Sequence, residues 1–173
     1  EESTFGIEQT RKFMARNKDQ PFFLVIASAN PHEPWNRGNI DLYPPDKLDL
    51  PPFLNDTPSL RHRLAKYLAE VSDLDREVGL VDDELEKLGI KNDTIFIFTS
   101  EQGNSLPFGK WTNYDTGLRN AFIIRWPYKI GANISTDAMI EYVDVIPTLT
   151  DLATNTIPDN LDGKSFKAVL QGQ

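Results

Sequence analysis

Short unbroken apolar runs alternate along this chain with longer stretches in which apolar residues recur at helical spacing. Residues 7–17 place Phe13 and Met14 on the apolar side of a short amphipathic helix, which Gln20-Pro21 ends. Phe22-Phe23-Leu24-Val25-Ile26-Ala27-Ser28 follows, apolar on both faces as a buried parallel strand requires. Thr57-Pro58 predicts the start of a long helix, threonine as N-cap and proline in the first position. Its stripe runs through Leu60, Leu64, Tyr67, Leu68, Val71, Leu74, Val78, Val81, Leu85 and Leu88, with Gly89 as the stop. Two further buried-type strands are expected over 94–99 and 121–126, the second stopped by Pro127. Helices are expected over 144–153, with Pro147 near the first turn, and from Asp162-Gly163-Lys164-Ser165 to near Leu170.

Strands alternating with helices through long crossovers predict an α/β fold, a mainly parallel sheet sandwiched by helices. The proline-rich connection over 36–56 is long enough to serve a site or to wrap a neighbour. At 173 residues the chain is read as one domain over 1–173. Apolar residues at 39% and charged residues at 25% fit a globular protein and exclude a disordered one.

The net charge of −8, with both signs interspersed, argues against a nucleic-acid partner, which needs a basic face. A few local cations in a pocket still suffice for an anionic small substrate. There is no cysteine, so disulfides and thiolate sites are excluded within these residues. No apolar run reaches the length of a membrane span. Asn-x-Ser/Thr triplets at Asn55, Asn92 and Asn133 locate nothing alone, and the start at Glu1 without Met leaves room for a removed upstream segment.

In open α/β sheets chemistry gathers at the carboxyl ends of strands. Here polar clusters follow two expected strands: Asn30 to Trp35, and Ser100 to Lys110. His32 is either a loop histidine packed on Trp35 or an imidazole that hydrogen-bonds or protonates an oxyanion. His62, in the first turn of the long helix, is read as a surface residue, and Asp82-Asp83-Glu84 as that helix's solvated face. Glu101-Gln102 offers adjacent hard oxygen ligands suited to calcium or magnesium, or is a polar turn ending a strand. Lys110 is either an anion-binding cation or a solvated loop lysine. Trp35, Asn104 and Trp111 are candidate substrate contacts, although core packing also suits either tryptophan. No Gly-x-Ser-x-Gly elbow, His-Glu-x-x-His, Walker-type loop or Gly-x-Gly-x-x-Gly occurs.

An ordered series of segments resembles the sulfatases of the alkaline-phosphatase-like superfamily. It runs from Pro21-Phe22-Phe23-Leu24 into Asn30-Pro31-His32, then through Leu50-Pro51-Pro52-Phe53-Leu54-Asn55-Asp56-Thr57-Pro58 and Asp75-Arg76-Glu77-Val78-Gly79. Asn92 to Ser100, Gly117-Leu118-Arg119, Ile124-Arg125-Trp126-Pro127, Asp144 to Leu149 and Leu161 to Phe166 continue it. Within the family, residues 48–110 are most similar to the heparan N-sulfatase group and related bacterial enzymes. The resemblance implies a partial alkaline-phosphatase-like domain, the C-terminal part of the catalytic one. It implies that His32 contacts the sulfate and helps protonate the leaving group, and that Lys110 binds sulfate oxygens. Glu101 and Gln102 stand where the family has Asp followed by Asn or His, a pair that helps bind calcium (Ca2+, or Mg2+).

Glu101 in place of Asp adds a methylene, so it holds the metal differently or contacts substrate instead. The family nucleophile, a formylglycine made in a C/S-x-P-x-R motif, has no counterpart here and is expected outside this chain. The expected partners are a sulfated carbohydrate substrate and the remainder of a sulfatase chain, or another copy, to complete the core. A periplasmic, secreted or lysosomal location is the family expectation. Two other readings are a phosphodiesterase or phosphonate hydrolase of the same superfamily, and a non-catalytic glycan-binding relative.

Overall fold

The computed structural model describes residues 6–172, which form two compact units, one up to Ile123 and one from Ile124 onward. In the first unit, helix α1 (Ile7–Asn17) and helix α2 (Pro58–Lys87) carry most of the regular structure. Strand β1 (Phe96–Thr99) pairs with β2 (Phe122–Arg125) in a two-stranded sheet. A one-turn helix, α3 (Asp115–Leu118), lies between these strands in sequence. Among the described residues no helix is long and apolar enough to cross a membrane.

Helix α2 begins where its sequence predicts. Thr57 has extended backbone, its hydroxyl accepts from the Leu60 amide at 3.2 Å, and Pro58 occupies the first turn. At the other end the Gly89 and Ile90 amides donate to the Glu86 and Leu85 carbonyls, closing the last turn. Over 30 residues it spans about 45 Å. Its ends serve two separate apolar clusters. Met14, Val81 and Leu85 form one, with Ile7, Phe22, Leu24, Ile26 and Phe96 packed around them. Trp35, Leu54, Leu64 and Leu106 form the other, with Leu48, Leu50, Leu60 and Tyr67 around them.

Between these clusters the stripe departs from the expected one. Glu70 and Glu77 are the buried positions, 1% and 2% exposed, while Val71, Leu74 and Val78 are half-buried. The reason is the spacing: Glu70, Glu77, Val81 and Leu85 share a face, and segment 28–37 lies against its carboxylates rather than against methyl groups.

Residues 21–29 are the second departure. They are extended with strict alternation, Phe22, Leu24, Ile26 and Ser28 turned inward and Phe23 and Val25 exposed, but belong to no ladder among the described residues. One face therefore packs as the apolar run requires, and the other is bare. Short 3-10 turns at Ile40–Leu42 and Pro45–Lys47 interrupt the proline-rich connection, and another at Lys91–Asp93 precedes β1. His62 is exposed as expected, but Asp82 pairs with Lys91 at 2.9 Å and Glu84 with Arg11 at 3.3 Å, so that acidic run is only partly solvated.

The second unit centres on α4 (Val145–Thr154) and α5 (Lys167–Leu170). Asp144 accepts from the amides of Lys164 and Glu141, at 2.8 and 3.0 Å, and these bonds hold its carboxyl below the usual range. Asp151 accepts from the Ser165 hydroxyl and the Lys167 ammonium, which likewise hold it low. Thr148, 2% exposed, accepts from the Phe166 amide and donates to the Asp144 carbonyl.

Two outcomes follow. Leu85→Ala, which opens a void beside Met14 and Val81, should cost about 2–5 kcal/mol in denaturant titration. Both aspartates have folded values below 3.8, so their stabilisation is complete above that pH and disappears as pH falls through the lower folded values. Amide exchange in α4 should accelerate across that acid window, and the double substitution Asp144→Asn, Asp151→Asn should flatten the dependence.

Candidate functional site

Both polar clusters lie in the first unit, and helix α2 holds them. The backbone leaves the extended segment at Ser28, whose hydroxyl donates to Glu77 Oε2 at 2.5 Å. The Asn30 side-chain amide donates to Asp73 at 2.9 Å and to Glu77 Oε1 at 3.3 Å. Beyond the prolines, Glu70 Oε1 accepts from two successive backbone amides, Asn36 at 2.7 Å and Arg37 at 3.0 Å. Gly38 then passes so close to α2 that a Cβ there would sit 2.2 Å from the Ala69 carbonyl oxygen, and its φ is +70°. Three acidic residues on one helix face thus fix both ends of the His32 loop.

His32 is exposed, and its Nδ1 lies 2.6 Å from the Glu33 carbonyl oxygen. A carbonyl only accepts, so Nδ1 carries the proton of that bond and Nε2 is the remaining functional nitrogen. Trp35 is 6% exposed, packs edge-on against Tyr67, and donates from its indole nitrogen to the Pro31 carbonyl. Of the two tryptophans named as contacts, this one is core.

The second cluster is a tight loop. Lys110 closes it twice, through its amide to the Asn104 carbonyl at 2.7 Å and its ammonium to Glu101 at 3.1 Å. The lysine side chain is 15% exposed and the glutamate 64%, so the cation is sheltered and the carboxylate is open. Gln102 is half-buried. Asn104 Oδ1 accepts from the Leu106 amide, which puts this side chain to work inside the loop. Gly103 admits the approach of α3: a Cβ would lie 2.1 Å from the Thr116 carbonyl oxygen. Phe108 and Trp111 both have positive φ, 67° and 68°, and Trp111 is 90% exposed. A bulky residue there costs about 1–3 kcal/mol and persists only where neighbours fix it. The Thr112 and Thr116 hydroxyls do so at Phe108, donating to its carbonyl at 2.9 and 2.5 Å.

Arg63 joins the two loops. From α2 it donates to Glu33 at 2.7 Å, reaches the Ser105 carbonyl at 3.5 Å, and lies 5.4 Å from the Trp35 ring centre. Beneath it Leu106 packs in one cluster with Trp35. His32 and the 101–110 loop are therefore braced by the same residues. Among the described residues no three His, Asp or Glu side chains cluster as a complete cation site. Sequence reasoning missed Arg63, Glu70 and Glu77. The available signal was a pair of glutamates seven residues apart on the helix face that continues into Val81 and Leu85.

A family model described as sulfatase matches residues 5–156. Human N-sulphoglucosamine sulphohydrolase is 31% identical over 94% of this chain and 39% of its own length. An ulvan-active sulfatase of Formosa agariphila is 28% identical over 87% of this chain and 32% of its own. A phosphonate monoester hydrolase from Silicibacter pomeroyi superposes with a TM-score of 0.79 at 23% identity, over 96% of this chain and 40% of its own, a likeness of fold. The chain spans roughly a third of the length of the first curated relatives it matches.

Glu70→Ala removes the acceptor shared by the amides of Asn36 and Arg37 and should destabilise the protein by about 1–3 kcal/mol. Exchange of those two amides should accelerate with it. Glu70→Gln, which keeps an oxygen acceptor, should lose less by both readouts.

Proposed function

The chain belongs to the sulfatase family, and from that premise we propose that it forms the C-terminal part of the catalytic domain of a calcium-dependent sulfatase acting on a sulfated sugar. The observation that supports this reading is the shared bracing of the two loops, Arg63 reaching Glu33 beside His32 and Ser105 within the lysine loop. Histidine and lysine on separately anchored loops suit a site that must both grip an anion and move a proton.

In this reading His32 protonates the departing alcohol or amine. Its Nδ1–H is already committed to the Glu33 carbonyl, which orients the ring and leaves Nε2 for the transfer. Lys110, sheltered and held beside Glu101, binds sulfate oxygens and balances charge in the transition state. Glu101 and Gln102 fit a hard cation in kind, with carboxylate and amide oxygens side by side and the carboxylate open. They supply two of the about six to eight oxygens calcium takes, so the other donors are assigned outside these residues. A bound calcium ion would polarise the sulfuryl group. The nucleophile, a formylglycine in this reading, also lies outside the chain. Trp111 and Asn104 are assigned to the sugar side, and Trp35 supports the His32 loop from within.

The test uses the full-length protein that contains this chain. Peptide mass spectrometry should find formylglycine in a C/S-x-P-x-R context, and sulfate should be released from N- or O-sulfated glucosamine. His32→Ala should lower kcat by about 10²–10⁴-fold, and Lys110→Ala should weaken kcat/KM. A protein with no such motif that cleaves a phosphonate monoester instead would overturn the sulfatase reading. Full activity in His32→Ala would overturn the role given to the imidazole.

A further inference from the structure

The lysine assigned above to the sulfate oxygens is already occupied. Lys110 Nζ lies 3.1 Å from Glu101 Oε2, the carboxylate that pairs with it among the described residues. Glu101 is also the residue whose carboxylate suits a hard cation. We propose that Glu101 serves two cations in turn. It neutralises Lys110 in the metal-free protein and releases it on taking the divalent ion, so that metal binding readies the lysine for the anion. The inference rests on the calcium-dependent reading and deepens it by making Glu101 a positioning residue for Lys110.

The backbone on either side of the pair is fixed. Just before Glu101, the Ser100 amide donates to the Ala121 carbonyl at 3.1 Å, and the Ser100 hydroxyl accepts from the Ala121 amide at 2.9 Å. Just after Gln102, Gly103 lies so close to α3 that a Cβ would sit 2.1 Å from the Thr116 carbonyl oxygen. Lys110 donates its amide to the Asn104 carbonyl at 2.7 Å, and a Cβ on the preceding Gly109 would come within 2.2 Å of that same oxygen. Any change of partner therefore falls to side-chain torsions. The glutamate side chain is 64% exposed and the lysine side chain 15%, so the carboxylate is the member of the pair with room to turn.

Charge sets the direction of the coupling. A sheltered ammonium needs a counter-charge, and without ligand Glu101 supplies it. A carboxylate that commits its charge to a divalent cation holds an ammonium less well, and the cation repels that ammonium besides. The lysine is then left favouring an anion, and sulfate takes the place of the carboxylate beside it. The length of the side chain matters here. On the same fixed backbone an aspartate, one methylene shorter, draws its oxygens back from Nζ while keeping a carboxylate for the metal.

The experiment uses the full-length protein, stripped with EDTA and desalted, titrated in calorimetry with inorganic sulfate and separately with Ca2+. Glu101→Gln should tighten metal-free sulfate binding about tenfold and weaken calcium binding at least about tenfold, opposite shifts from one substitution. Glu101→Asp should also tighten metal-free sulfate binding while keeping more calcium affinity than Glu101→Gln. Adding Lys110→Ala to Glu101→Gln should abolish the gain in sulfate binding, with circular dichroism showing that each variant folds. Unchanged metal-free sulfate binding in Glu101→Gln would overturn the inference, leaving an exposed ion pair without consequence. Unchanged calcium binding would do the same, leaving Glu101 a partner of the lysine alone. So would a gain that survives the loss of Lys110. Opposite shifts in a protein that carries no formylglycine and releases no sulfate would keep the shared carboxylate and remove the sulfatase reading. Sulfate release by a protein whose Glu101→Gln variant lacks those shifts would keep the reading and remove the shared carboxylate.

Discussion

Everything around the His32 loop depends on carboxylates buried in the side of one helix. Glu70 and Glu77 are almost wholly withdrawn from water, and such groups are tolerable only when fully hydrogen-bonded. Their partners come from the segment that leaves the extended run: the Ser28 hydroxyl, the Asn30 amide, and the backbone amides of Asn36 and Arg37. The grip is strong because neither side can let go without leaving a desolvated charge. It is also specific, since two backbone donors on one oxygen define a direction where apolar contact would allow sliding. Helix α2 is thus less a covering layer than a rail to which the loops are fastened.

The rail divides its labour along its length. The Val81–Leu85 end joins α1, the extended run and β1 through ordinary apolar packing. The Leu64 end joins the 48–54 connection and the lysine loop through Trp35, Leu54 and Leu106. Polar anchoring occupies the stretch between. Apolar packing tolerates small shifts, whereas the directional bonds of Glu70 and Glu77 fix the 28–37 backbone in one place.

Local physics made much of this legible. The Thr57-Pro58 start and the Gly89 stop of α2 are short-range signals, and the helix runs between them. The β1 and β2 runs, and the helix at Pro147, follow from continuous apolar stretches and one proline. The segment at 22–28 was legible in conformation but not in pairing, because a strand's ladder depends on a neighbour the run itself does not encode. The α2 stripe was misread at its centre because Val71, Leu74 and Val78 carry the apolar signal while the glutamates do the binding. The two polar clusters could be found from their place after apolar runs. Their connection could not, since Arg63 looks like any helical surface arginine until Glu33 and Ser105 arrive beside it.

The connection between residue 39 and residue 56 is held by directional bonds near its ends and at its middle. Glu70 holds its entry, Tyr43 meets Ser72, and Arg61 holds its exit through the Pro45 and Leu48 carbonyls and a two-pronged pair with Asp56. Between those bonds Leu48, Leu50 and Leu54 pack with Trp35 and Leu64, so only the outward positions are left unspecified. Substitutions at those outward positions leave the Glu70 and Arg61 bonds in place. Variation in this segment is thus confined by α2 to an outward facing, which can be replaced while the frame behind it stays the same.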